Sequence, residues 1–196
     1  MTVPFVGLTG GLGAGKSAAL DALATLGAAV VSSDAVVHEL YATDAVRDAV
    51  RARFGEDVFE GEAVDRGALA RRAFARDEDR GWLEALLWPL VAERVEAFRA
   101  EASERQPPPA AVVVEVPLLF EAAIEARYDT TIAIVADDAL RAARLALRDQ
   151  EELGRREARQ LPQEEKARRA RFVVVNDGTL DELRDELRSV LTRLAP

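Results

Sequence analysis

Gly10, four intervening residues and then Gly15-Lys16-Ser17 form the pattern G-x-x-x-x-G-K-[ST] near the start of the chain. Residues of these types at this spacing wrap a polyphosphate. Small residues let backbone N–H groups approach the oxygens, and a helix beginning near Lys16 turns its positive end toward the anion. Gly11, Leu12, Gly13, Ala14 and Gly15 would line the cradle, with Lys16 reaching the β- and γ-phosphates and the Ser17 hydroxyl on Mg²⁺. An apolar run, Val3–Leu8, precedes the loop as a buried strand, and Ala18–Leu23 follows with helical spacing. The motif implies a nucleoside triphosphate and leaves open what happens to its phosphate.

Three further groups could act on that phosphate. Asp34 follows the short apolar strand Ala28–Val31, at the carboxyl edge where α/β proteins place ligands; the same residue is a plausible helix N-cap. Glu115 interrupts the β-branched run Ala110–Val116 near its end, a position from which P-loop proteins hold Mg²⁺ through water. Arg141, Arg144 and Arg148 differ by three and four and so share one helix face; they fit a surface helix, or a lid that brings guanidiniums onto a transferring phosphate. Lys16 and Lys166 are the only lysines among 26 basic residues, which singles out Lys166 as well, against the plainer reading of a solvated helix charge.

The elements that must position these groups alternate from strand to helix. Beyond the first two strands, residues 44–106 read as almost entirely helical, with a turn-rich piece at 54–66 and Asp65 as a helix cap. Pro107-Pro108-Pro109 ends the last of these helices. Thr130–Val135 and Phe172–Val175 supply two more strands, and Thr179 caps a closing amphipathic helix. The expected architecture is a P-loop NTPase-type three-layer α/β/α fold with a five-stranded parallel sheet. We expect one domain over 1–196: a core of 1–34, 110–138 and 170–196, a helical acceptor lobe over about 35–109, and an Arg-rich lid over about 139–169. That is the layout of a small-molecule kinase, in which positioning and water exclusion favour transfer to a bound hydroxyl.

Composition narrows the partners. A net charge of −9 argues against a general nucleic-acid or membrane-surface binder. Absence of cysteine removes disulfides, zinc-thiolate sites and thiol catalysis. No apolar run approaches the roughly 20 residues of a membrane span, and no export-signal pattern opens the chain. These features lead us to expect a cytoplasmic protein, monomeric or weakly self-associating, acting on small molecules.

Several blocks in order resemble the dephospho-CoA kinase family. They are Gly7–Ser17, Leu26-Gly27-Ala28, Asp34, Phe54-Gly55, Asp65–Leu69, Trp82-Leu83-Glu84, Pro89-Leu90, Val116–Glu121, Arg144, Arg148, Gln160, Lys166 and Asn176-x-Gly178. The resemblance implies ATP-dependent phosphorylation of the ribose 3′-hydroxyl of dephospho-CoA, the last step of coenzyme A synthesis, with Mg²⁺. It implies that Gly11–Ser17 bind ATP, that Asp34 orients or deprotonates the hydroxyl, that Arg144 and Arg148 clamp phosphates, and that Asn176 helps hold the adenine. The chain departs from that family's usual residues at Ser32 (Asp), His38 (Arg), Trp88 (His) and Glu115 (Asp). A nucleoside or nucleoside-monophosphate kinase shares the layout, and the departures raise a catalytically weakened ATP-binding protein as a further alternative.

Overall fold

The computed structural model describes residues 2–146 and 159–194. The chain divides into two compact units, Met1–Ser32 with Phe98–Pro196, and Ser33–Ala97. In the first, β1 (Phe5–Gly10), β2 (Ala29–Ser32), β5 (Val112–Glu115), β6 (Thr130–Val135) and β7 (Phe172–Val175) build a parallel sheet. Its order is β2-β5-β1-β6-β7, so β1 is central and the chain reverses direction of travel around it. Such a switch point opens a crevice at the carboxyl ends of the strands, where the loop after β1 lies. The five parallel strands among the described residues match the fold expected from the alternation.

Every residue of β1, and all of β5, is buried, as a parallel strand covered on both faces requires. Val6 and Leu8 face the helices α1 (Lys16–Thr25) and α8 (Leu180–Leu194), packing with Leu20, Leu23, Leu183 and Leu187. On the other face Phe5 stacks on Tyr128, ring centroids 4.7 Å apart, and the Arg99 guanidinium lies 4.3 Å above Phe5. This second contact explains why residues from Phe98 on, read from sequence as part of the helical lobe, group with the sheet unit. β1 runs two residues beyond the apolar stretch, because Thr9 and Gly10 still pair with Ala133 and Ile134. α6 (Asp138–Leu145) follows β6, capped by the Asp137 carboxylate on the N–H groups of Ala139 and Leu140; α7 (Gln163–Arg169) precedes β7.

The second unit holds α2 (Ser33–Leu40), α3 (Asp44–Phe54), α4 (Arg66–Ala73) and most of α5 (Asp77–Ser103). Its own core gathers Val36, Leu40, Val46, Val50, Phe54, Leu69 and Leu83. Asp65 caps α4 by accepting from the N–H groups of Gly67 and Ala68, as its position predicts. The turn-rich piece contains a small antiparallel hairpin, β3 (Phe59–Glu60) with β4 (Ala63–Val64). Pro89 sits inside α5 without ending it. Buried Asp79 is held by Arg53 Nη2 at 2.8 Å and Nε at 3.1 Å, and Trp82 meets Phe54 edge-on.

Candidate active site

The loop between β1 and α1 is built as an anion cradle. Gly15 closes it in the left-handed conformation (φ 92°), and α1 begins without a side-chain cap or an acidic residue in its first turn. No side chain therefore competes for the first turn of α1, and a helix N-terminus of this kind suits phosphate oxygens. A Cβ on Gly10 would stand 2.3 Å from the carbonyl oxygen of Ile134, so β6 packs against the loop root only because that residue is glycine.

Five successive carbonyls of the loop are taken up by donors around it. Lys16 Nζ donates to Gly10 O and Gly11 O at 3.2 Å each. Arg141 Nε donates to Leu12 O at 2.9 Å, and Arg144 Nη1 to Gly13 O at 3.3 Å. Asn176 Nδ2 donates to Ala14 O at 2.8 Å, and Arg144 Nη2 ties this arrangement together by donating to Asn176 O at 3.0 Å. In a trans peptide the C=O and the following N–H point to opposite sides. Holding the carbonyls in this way turns the amides of the same peptides the other way; of these the Ala14 N–H donates within the loop, to Gly11 O at 3.2 Å.

The sheet brings a carboxylate to the same edge. Glu115 ends β5, in register with Leu8 of the P-loop strand on one side and Ser32 of β2 on the other, and is buried. Ser17 is exposed at the start of α1. A hydroxyl and a carboxylate are hard oxygen donors that suit Mg²⁺, which keeps most of its waters and shares the phosphates of its substrate. Among the described residues no cluster of three or more His, Asp or Glu side chains forms a metal cage of protein groups alone.

The structure thus brings together Gly11–Ser17, Arg144 and Asn176, with Glu115 on the neighbouring strand. Asp34 lies in the first turn of α2, exposed, at the start of the second unit. Arg148 lies outside the described residues. Lys166 is not a solvated charge: it is fully buried, with Nζ 2.8 Å from Glu121 Oε1 and 2.5 Å from Pro117 O. Burial pulls its ammonium below the usual lysine range, and the hydrogen bond and charge of Glu121 oppose that shift.

The family model described as dephospho-CoA kinase matches residues 4–182. The chain belongs to the dephospho-CoA kinase family. A dephospho-CoA kinase of Syntrophotalea carbinolica is 36% identical over 196 residues, 97% of this chain and 92% of its own. One from Brucella melitensis is 36% identical across 97% of this chain and 94% of its own. A solved protein of Thermus thermophilus covers both chains in full at 34% identity and a TM-score of 0.83. The dephospho-CoA kinase of Campylobacter jejuni, 22% identical over 96% of each chain, shares the fold at a TM-score of 0.62.

Within this dephospho-CoA kinase family member, three contributors were not assigned their contacts by sequence. Arg141 shares the helix face of Arg144, yet nothing in its spacing names Leu12 as its partner. Gln163 accepts from Ala136 N–H at 3.2 Å and donates to Ala136 O at 2.8 Å, joining the start of α7 to the end of β6. Glu121, the last residue of the Val116–Glu121 block, is the carboxylate that meets Lys166. For the Lys166–Glu121 pair the one sequence signal was the rarity of lysine.

Proposed function

We propose that the chain transfers the γ-phosphoryl group of ATP to the ribose 3′-hydroxyl of dephospho-CoA, giving coenzyme A and ADP. Family membership over nearly the whole chain carries this reading, and the clamped P-loop supports it. Loop amides from Gly11 to Gly15 and the start of α1 bind the phosphates. Lys16 leaves Gly10 O and Gly11 O for the β- and γ-oxygens and spreads the transferred charge, as does Arg144. Asn176 shapes the loop beside the adenine, and Arg148 adds a second guanidinium.

Asp34 orients the acceptor hydroxyl and takes its proton late, once the bond to phosphorus forms and the bond to the ADP oxygen breaks. Ser17, and Glu115 through water, would hold Mg²⁺. When bound, Mg²⁺ neutralises charge developing on the phosphates. The helical unit 33–97 is the acceptor lobe, and α6 begins a lid that excludes water. The protein acts as a cytoplasmic enzyme on small molecules, as a monomer or a weak homo-oligomer. Among the described residues no helix is long and apolar enough to cross a membrane.

The test is ADP release with ATP, Mg²⁺ and either dephospho-CoA or a panel of nucleosides and nucleotides. Turnover dependent on dephospho-CoA is expected. Turnover confined to a nucleoside or nucleotide acceptor would overturn the assignment, and tight ATP binding without turnover on any acceptor would favour a non-catalytic ATP-binding protein.

A further inference from the structure

Lys166 is the one fully buried cation among the described residues that takes no part in the reaction above. Its ammonium joins parts of the chain distant in sequence. Nζ donates to Pro117 O, two residues past Glu115, and the same carbonyl accepts from Thr9 Oγ1 at 3.4 Å, directly before Gly10. Nζ also pairs with Glu121 Oε1, which in turn accepts the Leu161 N–H at 2.7 Å. The root of the P-loop, the chain leaving β5, the residue that leads into α7 and α7 itself thus meet at one polar centre.

Stability is a poor reason for such a centre. Burying two charges costs about what their attraction returns, and apolar replacements of both partners are often neutral. Geometry is the better reason. A carbonyl and a carboxylate oxygen converging on one point call for a compact ammonium with three rotatable donors, which a planar guanidinium does not supply. In a chain with only two lysines among 26 basic residues, the second stands where arginine would not fit.

We infer that Lys166 is a positioning residue for phosphoryl transfer: through Pro117 and Glu121 it fixes the chain that follows Glu115 against the root of the P-loop. The inference deepens the kinase reading and rests on it. Lys166 touches neither nucleotide nor acceptor in this scheme; it sets where the groups that touch them stand.

The test separates position from stability. Lys166→Met leaves Glu121 as a buried uncompensated charge, and both melting temperature and kcat should fall. The double variant Lys166→Met/Glu121→Gln removes both charges while Gln keeps an acceptor for Leu161 N–H. We expect it to melt within a few degrees of the wild type and to bind a non-hydrolysable ATP analogue within about threefold, yet to lose on the order of 10–100-fold in kcat, as misplacement by about 1 Å does. Recovery of kcat together with melting temperature would overturn the inference and leave a structural ion pair. If the double variant does not fold, Lys166→Arg decides: near-normal kcat overturns the inference, and a folded protein with kcat at least tenfold down upholds it. Amide exchange of residues 5–17 with the ATP analogue bound gives an arm independent of the acceptor. Faster exchange in the variant supports the inference, and unchanged exchange overturns it. Should the wild type turn over no acceptor, the kinase reading falls, and the exchange result alone judges Lys166.

Discussion

Ser32 and Glu115 are cross-strand neighbours, paired in register at the carboxyl ends of β2 and β5. In-register residues of parallel strands point to the same face. Two of the four positions at which the chain departs from its family's usual residues therefore occupy one spot, where a small hydroxyl stands beside a longer carboxylate. Glu115→Gln should raise the Mg²⁺ concentration for half-maximal rate and cut kcat/KM by about 10–100-fold, the range found when groups that orient a metal's ligands are lost. Glu115→Asp should cost less, and adding Ser32→Asp should shift the Mg²⁺ response further if the two positions act as a unit. Mg²⁺ titrations at fixed ATP read all three; an unchanged response in Glu115→Gln would remove Glu115 from the metal site.

Gly15 and Gly27 form a matched pair. Both are left-handed, at φ 92° and 88°, but a Cβ on Gly15 would lie 2.1 Å from Asn176 Nδ2 whereas nothing lies within 4 Å of one on Gly27. Gly27→Ala should cost only backbone strain, about 1–2 kcal/mol, with ATP affinity unchanged. Gly15→Ala adds displacement of Asn176 from Ala14 O, so it should lose more stability and most of its affinity for ATP. Urea unfolding and calorimetric titration with the ATP analogue compare the two. Equal effects would mean that Asn176 does not shape the loop.

For Asp34, the proposed partner of the acceptor hydroxyl, Asp34→Asn should lower kcat by about 10²–10⁴-fold, the usual worth of a positioned general base. Affinity for the ATP analogue should stay within about threefold. A variant with near-normal kcat would exclude that role for Asp34.

Tyr41 gives the helical unit an alkaline signature. Burial pushes its phenol up to about 12, and the Arg66 charge pulls the other way. The folded protein thus keeps this proton to higher pH than the unfolded chain, whose phenol ionises near 10. The stability it contributes is complete below pH 10 and is lost as pH rises from 10 toward 12. Tyr41→Phe should flatten that decline, seen as a smaller drop in urea midpoint between pH 9.5 and 11 than in the wild type.

The succession of strands along the chain, the P-loop and the caps at Asp65 and Thr179 were legible because each rests on local chemistry. Thr179 Oγ1 accepts from Glu182 N–H while Glu182 Oε2 accepts from Thr179 N–H, a reciprocal cap written within four residues. Periodicity also put Arg141 and Arg144 on one face, but their P-loop carbonyl partners lie more than a hundred residues away and appear only when β6 pairs with β1. A shorter separation, still beyond the reach of any local pattern, hid Glu121 from Lys166. The β3–β4 hairpin escaped notice because two-residue strands carry too little alternation to read.

The clamped carbonyls of the P-loop shift when the ordering entropy of that loop is spent. With Leu12, Gly13 and Ala14 already held by Arg141, Arg144 and Asn176, the loop is ordered during folding and little remains to be ordered at the encounter with nucleotide. Pre-ordering of this kind lowers Kd, and bound nucleotide adds resistance to unfolding set by its excess over Kd, about 2.7 kcal/mol at a hundredfold excess. Saturating nucleotide should accordingly slow proteolysis of the folded chain, since cleavage proceeds through opened states that the ligand does not bind.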